Sequence, residues 1–321
     1  MRSVEVVSIG AINWDINLFT KRLPSPGEEV EVVKITRVPG GTGANVAVAA
    51  ARILGPGRVA FIGALGGDEI AEHQIANLIA EGVEVSGVKR VAGESGRAYI
   101  VIDDNGENEI HAYLGANSLL SRHDVQANQR VITRSKVLVI TDPPFDVAEE
   151  ASSLANKANV PILWDPGVYV ARGLASLAPA LRNVDYFILN QLEMEGLTET
   201  ETPKLMGAKL SRTNPKIKLI VKQGSKGALL IDRGGEEITS IAAISLQSLG
   251  MRATNTVGCG DSFIGAFAAS KAMGHDDLES IEWSNCAAAF KATRLETRGS
   301  PTKRELDDFC RIAFHEHLIN K

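Results

Sequence analysis

The chain has 321 residues, of which 44% are hydrophobic and 23% are charged, and its formal net charge is -5. This composition is ordinary for a globular protein, and an acidic balance without a basic stripe argues against nucleic acid as the main partner. No apolar run reaches the ~20 residues of a membrane span, and the N-terminus lacks the pattern of a secretory signal. The 3 cysteines are widely spaced and do not suggest a disulfide framework. We therefore expect a cytoplasmic protein with no membrane partner.

Strand-like and helix-like segments alternate from the N-terminus onwards. The predicted strands are residues 4–9, 58–62, 137–140, 160–164, 186–189 and 219–221. The predicted helices are residues 45–54, 68–81, 147–158, 262–273, 278–293 and 303–315. This alternation predicts one α/β domain over residues 1–321, with helices on both faces of a mainly parallel sheet. Ligands of such folds bind at the carboxyl ends of the strands.

Two stretches interrupt the alternation, at residues 30–38 and 98–114. Both have the pattern of antiparallel strands, and Asp103-Asp104-Asn105-Gly106 in the second predicts the turn of a hairpin. We expect a small sheet, contributed by residues of about 12–40 and 96–115, that forms a lid over the main body. A lid would keep water away from a reacting phosphate. The simpler alternative is an edge extension with no function.

The motif Asn255-Thr256-Val257-Gly258-Cys259-Gly260-Asp261 stands directly before an apolar helical pattern. A helix N-terminus has unpaired N–H groups and partial positive charge, and glycines let a phosphate approach the backbone closely. Asp261 in the first turn is placed to take a proton from an attacking hydroxyl. The motif therefore indicates phosphoryl transfer, and the alternative is a glycine-rich turn in which Asp261 caps the helix.

Polar residues follow several predicted strands, namely Asn13, Asp15, Asp142, Asp165 and Asn190. Each by itself is most often a turn former or a helix cap, but together they would line one rim of the sheet. The loop at residues 39–45 precedes a predicted helix, and the Asn45 amide there is able both to donate and to accept hydrogen bonds with a hydroxylated ligand. A hinge between lid and body is the alternative for this loop.

Familiar nucleotide-binding motifs do not occur in the sequence. There is no G-x-x-x-x-G-K-[ST] loop, and the Gly-Ser-Lys-Gly run at residues 224–227 is too short to form one. Gly41-Thr42-Gly43 is followed by Val46 where the dinucleotide fingerprint needs a third glycine. A Rossmann oxidoreductase is therefore disfavoured, although the fold class alone would allow it.

The chain resembles the ribokinase-like (PfkB) carbohydrate kinase family along essentially its whole length. The resemblance is carried by two blocks, at residues 40–45 and 255–261, with support from residues 22–28, 190–193 and 224–227. It implies a ribokinase-like three-layer α/β/α sandwich with a small β-sheet lid. It also implies an ATP-dependent kinase that acts on an alcohol of a sugar or nucleoside.

The resemblance implies a role for each matching residue. Asp261 is similar to the family's general base, and the amides of Gly258, Cys259 and Gly260 to its anion hole. The implied substrate contacts are Asn13, Asp15, Gly41, Thr42, Asn45 and Asp142. The implied nucleotide contacts are Asn190, Lys222, Gly224, Gly227 and Asn285. Glu193, in the family's N-x-x-E element, would organise Mg²⁺ through water, and the lid would serve as the interface of a homodimer.

Three positions depart from the family pattern. Asn255 replaces an aspartate that often helps to bind a monovalent cation, so a K⁺ site at Asn255 and Ser300 is left open. Cys259 replaces an alanine, and a thiol at a helix N-terminus is expected to have a lowered pKa and to block phosphate entry once alkylated. Thr42 stands where close ribokinases often have lysine, which leaves the identity of the sugar open.

The substrate is the least determined part of the prediction. Residues 96–100, 106–108 and 115–117 look most like ribokinases, so we expect ribose, phosphorylated at its primary hydroxyl. A nucleoside kinase acting on the 5′-hydroxyl is the alternative. Its nucleobase would need a pocket lined by aromatic residues of the lid region, and the candidates are Trp14, Phe19, Tyr99 and Tyr113. Fructose and ketodeoxygluconate are further candidates. A catalytically silent sugar-binding regulatory protein on the same fold is an alternative of a different class.

Overall fold

The computed structural model describes residues 3–105, 107–197 and 202–319, so the predicted turn residue Gly106 lies outside the described part. The strands are β1 (Val6–Gly10), β2 (Asn13–Thr20), β3 (Val32–Gly40), β4 (Val59–Leu65), β5 (Val83–Arg90), β6 (Gly96–Ile102), β7 (Asn108–Tyr113), β8 (Val137–Thr141), β9 (Ile162–Asp165), β10 (Tyr186–Asn190), β11 (Lys218–Lys222), β12 (Ala228–Asp232) and β13 (Glu237–Ile241). The helices are α1 (Thr42–Leu54), α2 (Glu69–Ala80), α3 (Arg122–Ala127), α4 (Gln129–Ile132), α5 (Phe145–Lys157), α6 (Leu174–Leu181), α7 (Gln191–Leu197), α8 (Pro203–Thr213), α9 (Cys259–Met273), α10 (Asp277–Ala292) and α11 (Lys303–Ile319). Within the described ranges, every helix is too short or too polar to span a membrane.

A nine-stranded sheet forms the centre of the fold, in the order β13-β12-β11-β10-β9-β8-β1-β4-β5. The strands from β11 to β5 in this order are parallel, and β12 and β13 add antiparallel strands at one edge. The chain runs outward from β1 to β5 and then returns to β8 on the other side of β1. The carboxyl ends of β1 and β8 therefore form a switch point of the kind where open α/β sheets bind ligands.

Helices cover both faces of this sheet because side chains alternate along its buried strands. In β1, Val6 belongs to a core with α1, α9, α10 and α11, whereas Val7 and Ile9 belong to a second core with α5, α6 and α8. The result is a three-layer α/β/α sandwich, which confirms the predicted fold class.

The second sheet has the order β3-β2-β6-β7 and corresponds to the predicted lid. Its outer pairs, β2 with β3 and β6 with β7, are antiparallel, and the second of them is the predicted hairpin. Its central pair, β2 with β6, is parallel, because these strands come from separate insertions rather than from one hairpin.

Several elements were not predicted from the sequence, among them β2, β5, β12, β13, α6 and α8. In β2, Asn13 and Asp15 were interpreted as residues that follow the first strand, but they begin a new strand of the lid. Asn13, Asp15 and Asn17 alternate with Trp14, Ile16 and Leu18, which is the period-2 pattern of a half-buried strand and was overlooked in the sequence.

Candidate active site

The anion-binding motif lies where α9 begins. Gly258 immediately precedes this helix with φ 86°, and a Cβ there would lie 2.4 Å from the carbonyl oxygen of Thr297, so the position requires glycine. In the described part of the chain, the amides of Gly260 and Asp261 have no acceptor. These amides are therefore available to an anion at the positive end of the helix.

One predicted donor of this loop is already occupied. The Cys259 amide donates to the carbonyl oxygen of Thr256 at 3.1 Å, whereas the Gly258 amide has no acceptor among the described residues. The roles of these amides in an anion hole stay predictions. The prediction of a lowered pKa for the Cys259 thiol is wrong, because burial raises that pKa. The Lys291 charge opposes this shift and the Asp261 charge adds to it.

Asp261 lies in the first turn of α9 and is partly exposed to solvent. Its Oδ2 accepts a hydrogen bond from Asn45 Nδ2 at 2.8 Å, which joins the motifs at the two ends of the sequence. Burial raises the pKa of Asp261, and the Asn45 amide and the Lys222 charge oppose that shift. Since Oδ1 has no donor within the described ranges, this oxygen is free to receive a proton.

The orientation of Asn45 is set by Arg298. Arg298 Nε donates to Asn45 Oδ1 at 2.9 Å, so the amide nitrogen of Asn45 is the atom that faces Asp261. Arg298 also donates to the Gly40 carbonyl oxygen at 3.0 Å and to Gln74 Oε1 at 3.2 Å. Arg298 is only 7% exposed, and burial lowers its pKa to about 10.

Asp15 and Asn13 lie next to this pair on β2. The Asp15 carboxylate is 6% exposed and has no hydrogen-bond donor among the described residues. Burial raises the pKa of Asp15 to about 7, the Arg298 charge opposes this, and the Asp261 charge adds to it. Asn13 Oδ1 accepts from Asn117 Nδ2 at 2.8 Å, which leaves the Asn13 amide nitrogen free to donate. Together they offer an acceptor and a donor, as hydroxyl recognition requires.

Asp142 completes the predicted substrate side and follows β8. Its Oδ2 accepts from Thr42 Oγ1 at 3.0 Å and its Oδ1 from the Val168 amide at 2.9 Å. Burial, followed by the charge of Asp165, raises the pKa of Asp142 to about 7. Gly41 immediately precedes α1 with φ 89°, and a Cβ there would lie 2.4 Å from the backbone nitrogen of Asn13. The structure thus brings all six predicted substrate contacts together at the ends of β1, β2 and β8.

Lys222, a predicted nucleotide contact, lies at the end of β11 beside the loop. Its Nζ donates to Asp165 Oδ2 at 2.7 Å and would be 3.5 Å from a Cβ on Gly260. Burial alone would lower the pKa of Lys222, but the charges of Asp165 and Glu193 raise it, so the ammonium stays protonated beside the anion-binding amides.

Asn190 and Glu193 cap α7 reciprocally. Glu193 Oε2 accepts from the Asn190 amide at 2.7 Å, and Asn190 Oδ1 accepts from the Glu193 amide at 2.8 Å. Burial raises the pKa of Glu193, and the Asp165 charge adds to that rise. Glu193 Oε1 has no donor in the described part of the chain, so it is available to a hydrated cation.

Two of the remaining predicted nucleotide residues, Gly227 and Asn285, meet at the end of β13. A Cβ on Gly227 would lie 2.1 Å from the Ile241 carbonyl oxygen, and Asn285 Nδ2 donates to the Ala242 carbonyl oxygen at 3.0 Å. Gly224 lies in the exposed turn after β11. Gly227 and Asn285 therefore support the same backbone segment.

The residues of the predicted cation site have other partners. Asn255 Oδ1 accepts from the Val257 amide at 3.0 Å, and its Nδ2 donates to the Leu295 carbonyl oxygen at 2.7 Å. The Ser300 carbonyl oxygen accepts from Arg52 at 2.8 Å. The Asn255 side chain and the Ser300 main chain are thus part of the framework behind the loop.

Sequence reasoning missed Arg298 and gave no role to Asp165. Arg298 belongs to no motif or periodic pattern, and its partner Asn45 lies at the other end of the chain. Asp165 was recognised as polar and next to a strand end, but its pairing with Lys222 became visible only in the fold.

Comparison with known proteins agrees with this geometry. The family described as pfkB family carbohydrate kinase matches residues 3–304. The ribokinase of Schizosaccharomyces pombe is 29% identical over 316 residues, which cover 95% of this chain and 97% of that protein. The ATP-dependent ribose-1-phosphate kinase of Halopiger xanaduensis is 29% identical over 300 residues, which cover 93% and 95%.

A solved structure gives the same result. The crystal structure of ribokinase from Thermotoga maritima matches with a TM-score of 0.83 and 27% identity, over 96% of this chain and 99% of that one. The match therefore includes the lid as well as the main sheet. Since the family match spans almost the whole chain, the protein belongs to the pfkB family of carbohydrate kinases and is an ATP-dependent, ribokinase-like sugar or nucleoside kinase.

Proposed function

We propose that this kinase transfers the γ-phosphoryl group of ATP to the primary hydroxyl of D-ribose, with Asp261 as the general base. One observation carries the proposal: the Asp261 carboxylate is joined to Asn45 and lies beside main-chain amides without acceptors. The nearby Asp15 carboxylate, which has no donor in the described ranges, offers the acceptor that a sugar hydroxyl needs.

The chemistry assigns one task to each group. Asp261 Oδ1 takes the proton of the attacking sugar hydroxyl. At the same time the hydroxyl oxygen bonds to the γ-phosphorus, and the bond from that phosphorus to the ADP oxygen breaks. The amides of Gly260 and Asp261 donate to the phosphoryl oxygens, where charge accumulates. The Lys222 ammonium adds positive charge on the same side.

We assign the metal to the side of Glu193. Mg²⁺ neutralises phosphate charge when bound, and Glu193 Oε1 would hold it through water, with Asn190 nearby. In the described residues, no three Asp, Glu, His or Cys side chains converge as direct ligands. Such a donor set fits Mg²⁺, which keeps several waters and binds mostly to phosphates. Gly224, Gly227 and Asn285 remain the proposed support of the nucleotide.

The charges of the cleft favour a neutral acceptor. Asp15 and Asp142 are both acidic, while Arg298 and Lys222 are already bound to other groups. A sugar that already carries a phosphate would bring that charge close to these carboxylates, and the two cations described in the cleft, Arg298 and Lys222, are engaged elsewhere. We therefore expect ribose to be preferred over ribose 1-phosphate, although the names of relatives include kinases of each.

The test is acceptor-dependent ADP release with ATP and Mg²⁺. Ribose, ribose 1-phosphate, adenosine, cytidine, fructose and ketodeoxygluconate are supplied separately. Release with ribose alone supports the proposal, and release with adenosine or cytidine alone makes the enzyme a nucleoside kinase. If no acceptor in the panel stimulates release, the silent sugar-binding protein becomes the better description.

The assignment of the base has its own test. Asp261→Asn should lower kcat by roughly 10²–10⁴-fold, with ATP binding retained. The matched control is Asp276→Asn, because Asp276 also begins a helix, accepting from the Glu279 amide at 2.9 Å, but lies outside the cleft. Near-normal turnover of Asp261→Asn would remove Asp261 from this role.

We also propose that the lid mediates a homodimer. Its strands expose Val33, Ile35 and Tyr99, at 55%, 47% and 37%, and the strand register places them on one face. Sedimentation velocity should give a dimer that Ile35→Glu dissociates. A monomeric wild-type protein would contradict the proposal.

A further inference from the structure

Lys291 is a buried ammonium without an acidic partner. It lies in the last turn of α10 and is 0% exposed. Its Nζ donates to the carbonyl oxygens of Asn255 at 2.9 Å and Arg294 at 3.4 Å. Among the described residues, no carboxylate comes within 4.0 Å of it. Lysine is almost never fully buried unless it is paired, so this placement calls for an explanation.

The surroundings of Lys291 resemble those of a bound cation. Carbonyl oxygens near a helix C-terminus carry partial negative charge, which favours a cation there. Burial lowers the pKa of Lys291, whereas the charges of Glu296 and Asp261 favour its protonated form. Gly299 packs on its aliphatic stem, with a hypothetical Cβ 3.2 Å from the Lys291 Cδ.

The ammonium holds the residue from which the anion-binding loop starts. The Asn255 amide donates to the Ala292 carbonyl oxygen at 3.1 Å, and its side chain reaches Leu295. Lys291 adds a third link, to the Asn255 carbonyl oxygen, from the same end of α10. Gly260 and Asp261 follow Asn255 by five and six residues, so a shift of Asn255 would also move their amides.

We infer that Lys291 is a built-in cation that positions the anion-binding loop, so that this enzyme needs no external monovalent cation. The inference rests on the proposed phosphoryl transfer at Asp261. An added K⁺ at Asn255 would be repelled by the ammonium that already contacts this residue. Lys291 acts through the loop backbone and is a positioning residue.

The test compares Lys291→Met, Lys291→Ala and Lys291→Arg with wild type in Na⁺, K⁺ and methylammonium at constant ionic strength. Wild-type kcat should agree across these cations within about twofold, and Lys291→Met should lose about 10²-fold in kcat with the acceptor KM retained. Lys291→Ala should regain turnover when K⁺ or methylammonium fills the space left by the side chain, and Lys291→Arg should stay close to wild type.

Lys271→Met is the matched control, because Lys271 also lies in the last turn of a helix and donates to a carbonyl oxygen, that of His275, at 2.8 Å. It is remote from the loop and should leave kcat unchanged in every salt. Wild-type turnover that depends on K⁺, or a Lys291→Met variant with normal kcat, would overturn the inference.

A second readout separates this inference from the proposed function. Hydrogen exchange of residues 255–261 should be faster in Lys291→Met than in wild type and should be slowed again by K⁺ in Lys291→Ala. If no acceptor supports turnover but this pattern is found, the phosphoryl-transfer proposal fails while the positioning role stands. If residues 255–261 exchange at the same rate in wild type and in all Lys291 variants, the positioning role is refuted, whatever the outcome of the acceptor test.

Discussion

Replacement of Arg298 by methionine tests the hydrogen-bond network that orients Asn45. The variant removes donors from four acceptors: Asn45 Oδ1, Asn77 Oδ1, Gln74 Oε1 and the Gly40 carbonyl oxygen. Each buried acceptor left without a donor costs about 1–3 kcal/mol, and rotation of the amide side chains recovers part of that. Because the burial cost of the guanidinium is relieved at the same time, we expect the free energy of unfolding to fall by about 3–5 kcal/mol.

The assay is urea unfolding followed by circular dichroism, together with kcat at a temperature where the variant is folded. Loss of the Arg298 contact frees Asn45 to rotate away from Asp261, so kcat should fall by about 10–10²-fold. Arg298→Lys retains part of the donor set and should lie between wild type and Arg298→Met.

Arg311→Met is the control, since Arg311 is 66% exposed and pairs with Asp308 at the surface. It should change the free energy of unfolding by no more than about 0.5 kcal/mol. If Arg298→Met is as stable and as active as this control, the network does not carry the role assigned to it.

Three further outcomes are expected. Gly258→Ala places a Cβ 2.4 Å from the Thr297 carbonyl oxygen, so kcat should drop about 10²-fold, and full activity would contradict the close approach. Alkylation of Cys259 should be slow at pH 7 because burial raises its pKa, yet verified labelling should abolish turnover; unchanged activity after labelling would refute this. Burial raises the pKa of Asp15 from 3.8 to about 7, so between these pH values the folded protein keeps a proton on Asp15 that the unfolded chain has released. The free energy of unfolding should therefore decline as pH rises from 4 to 7. Urea titrations of Asp15→Asn should show a shallower decline, and an identical slope would exclude Asp15 as its source.

The motifs of the candidate site were accessible from the sequence because they are local. The glycines around Cys259 and the carboxylate of Asp261 form one continuous segment, and its position before an apolar helical pattern defines both the helix N-terminus and the acid beside it. The alternation of strands and helices likewise predicted the layers of the fold, since periodicity of apolar residues reflects which faces are buried.

Other features depend on contacts between distant segments. Asn45 was predicted to touch the sugar, which stays a prediction, but the sequence did not show that its amide is held between Asp261 and Arg298. The pKa of Cys259 was predicted from its helix position, whereas burial by neighbouring segments has the larger effect. Local sequence carries no information on how much solvent surrounds a side chain after packing.

Residues 255–261 and 40–45 by themselves determined that this chain has a glycine-containing helix start with an adjacent carboxylate, and a glycine-rich loop before a second helix. Only the tertiary structure decided that Arg298 aligns Asn45 with Asp261, and that Lys291 lies behind the loop with carbonyl oxygens as its partners. The physical reason is that a buried polar group is stable only beside its hydrogen-bond partners, and folding alone brings those partners together.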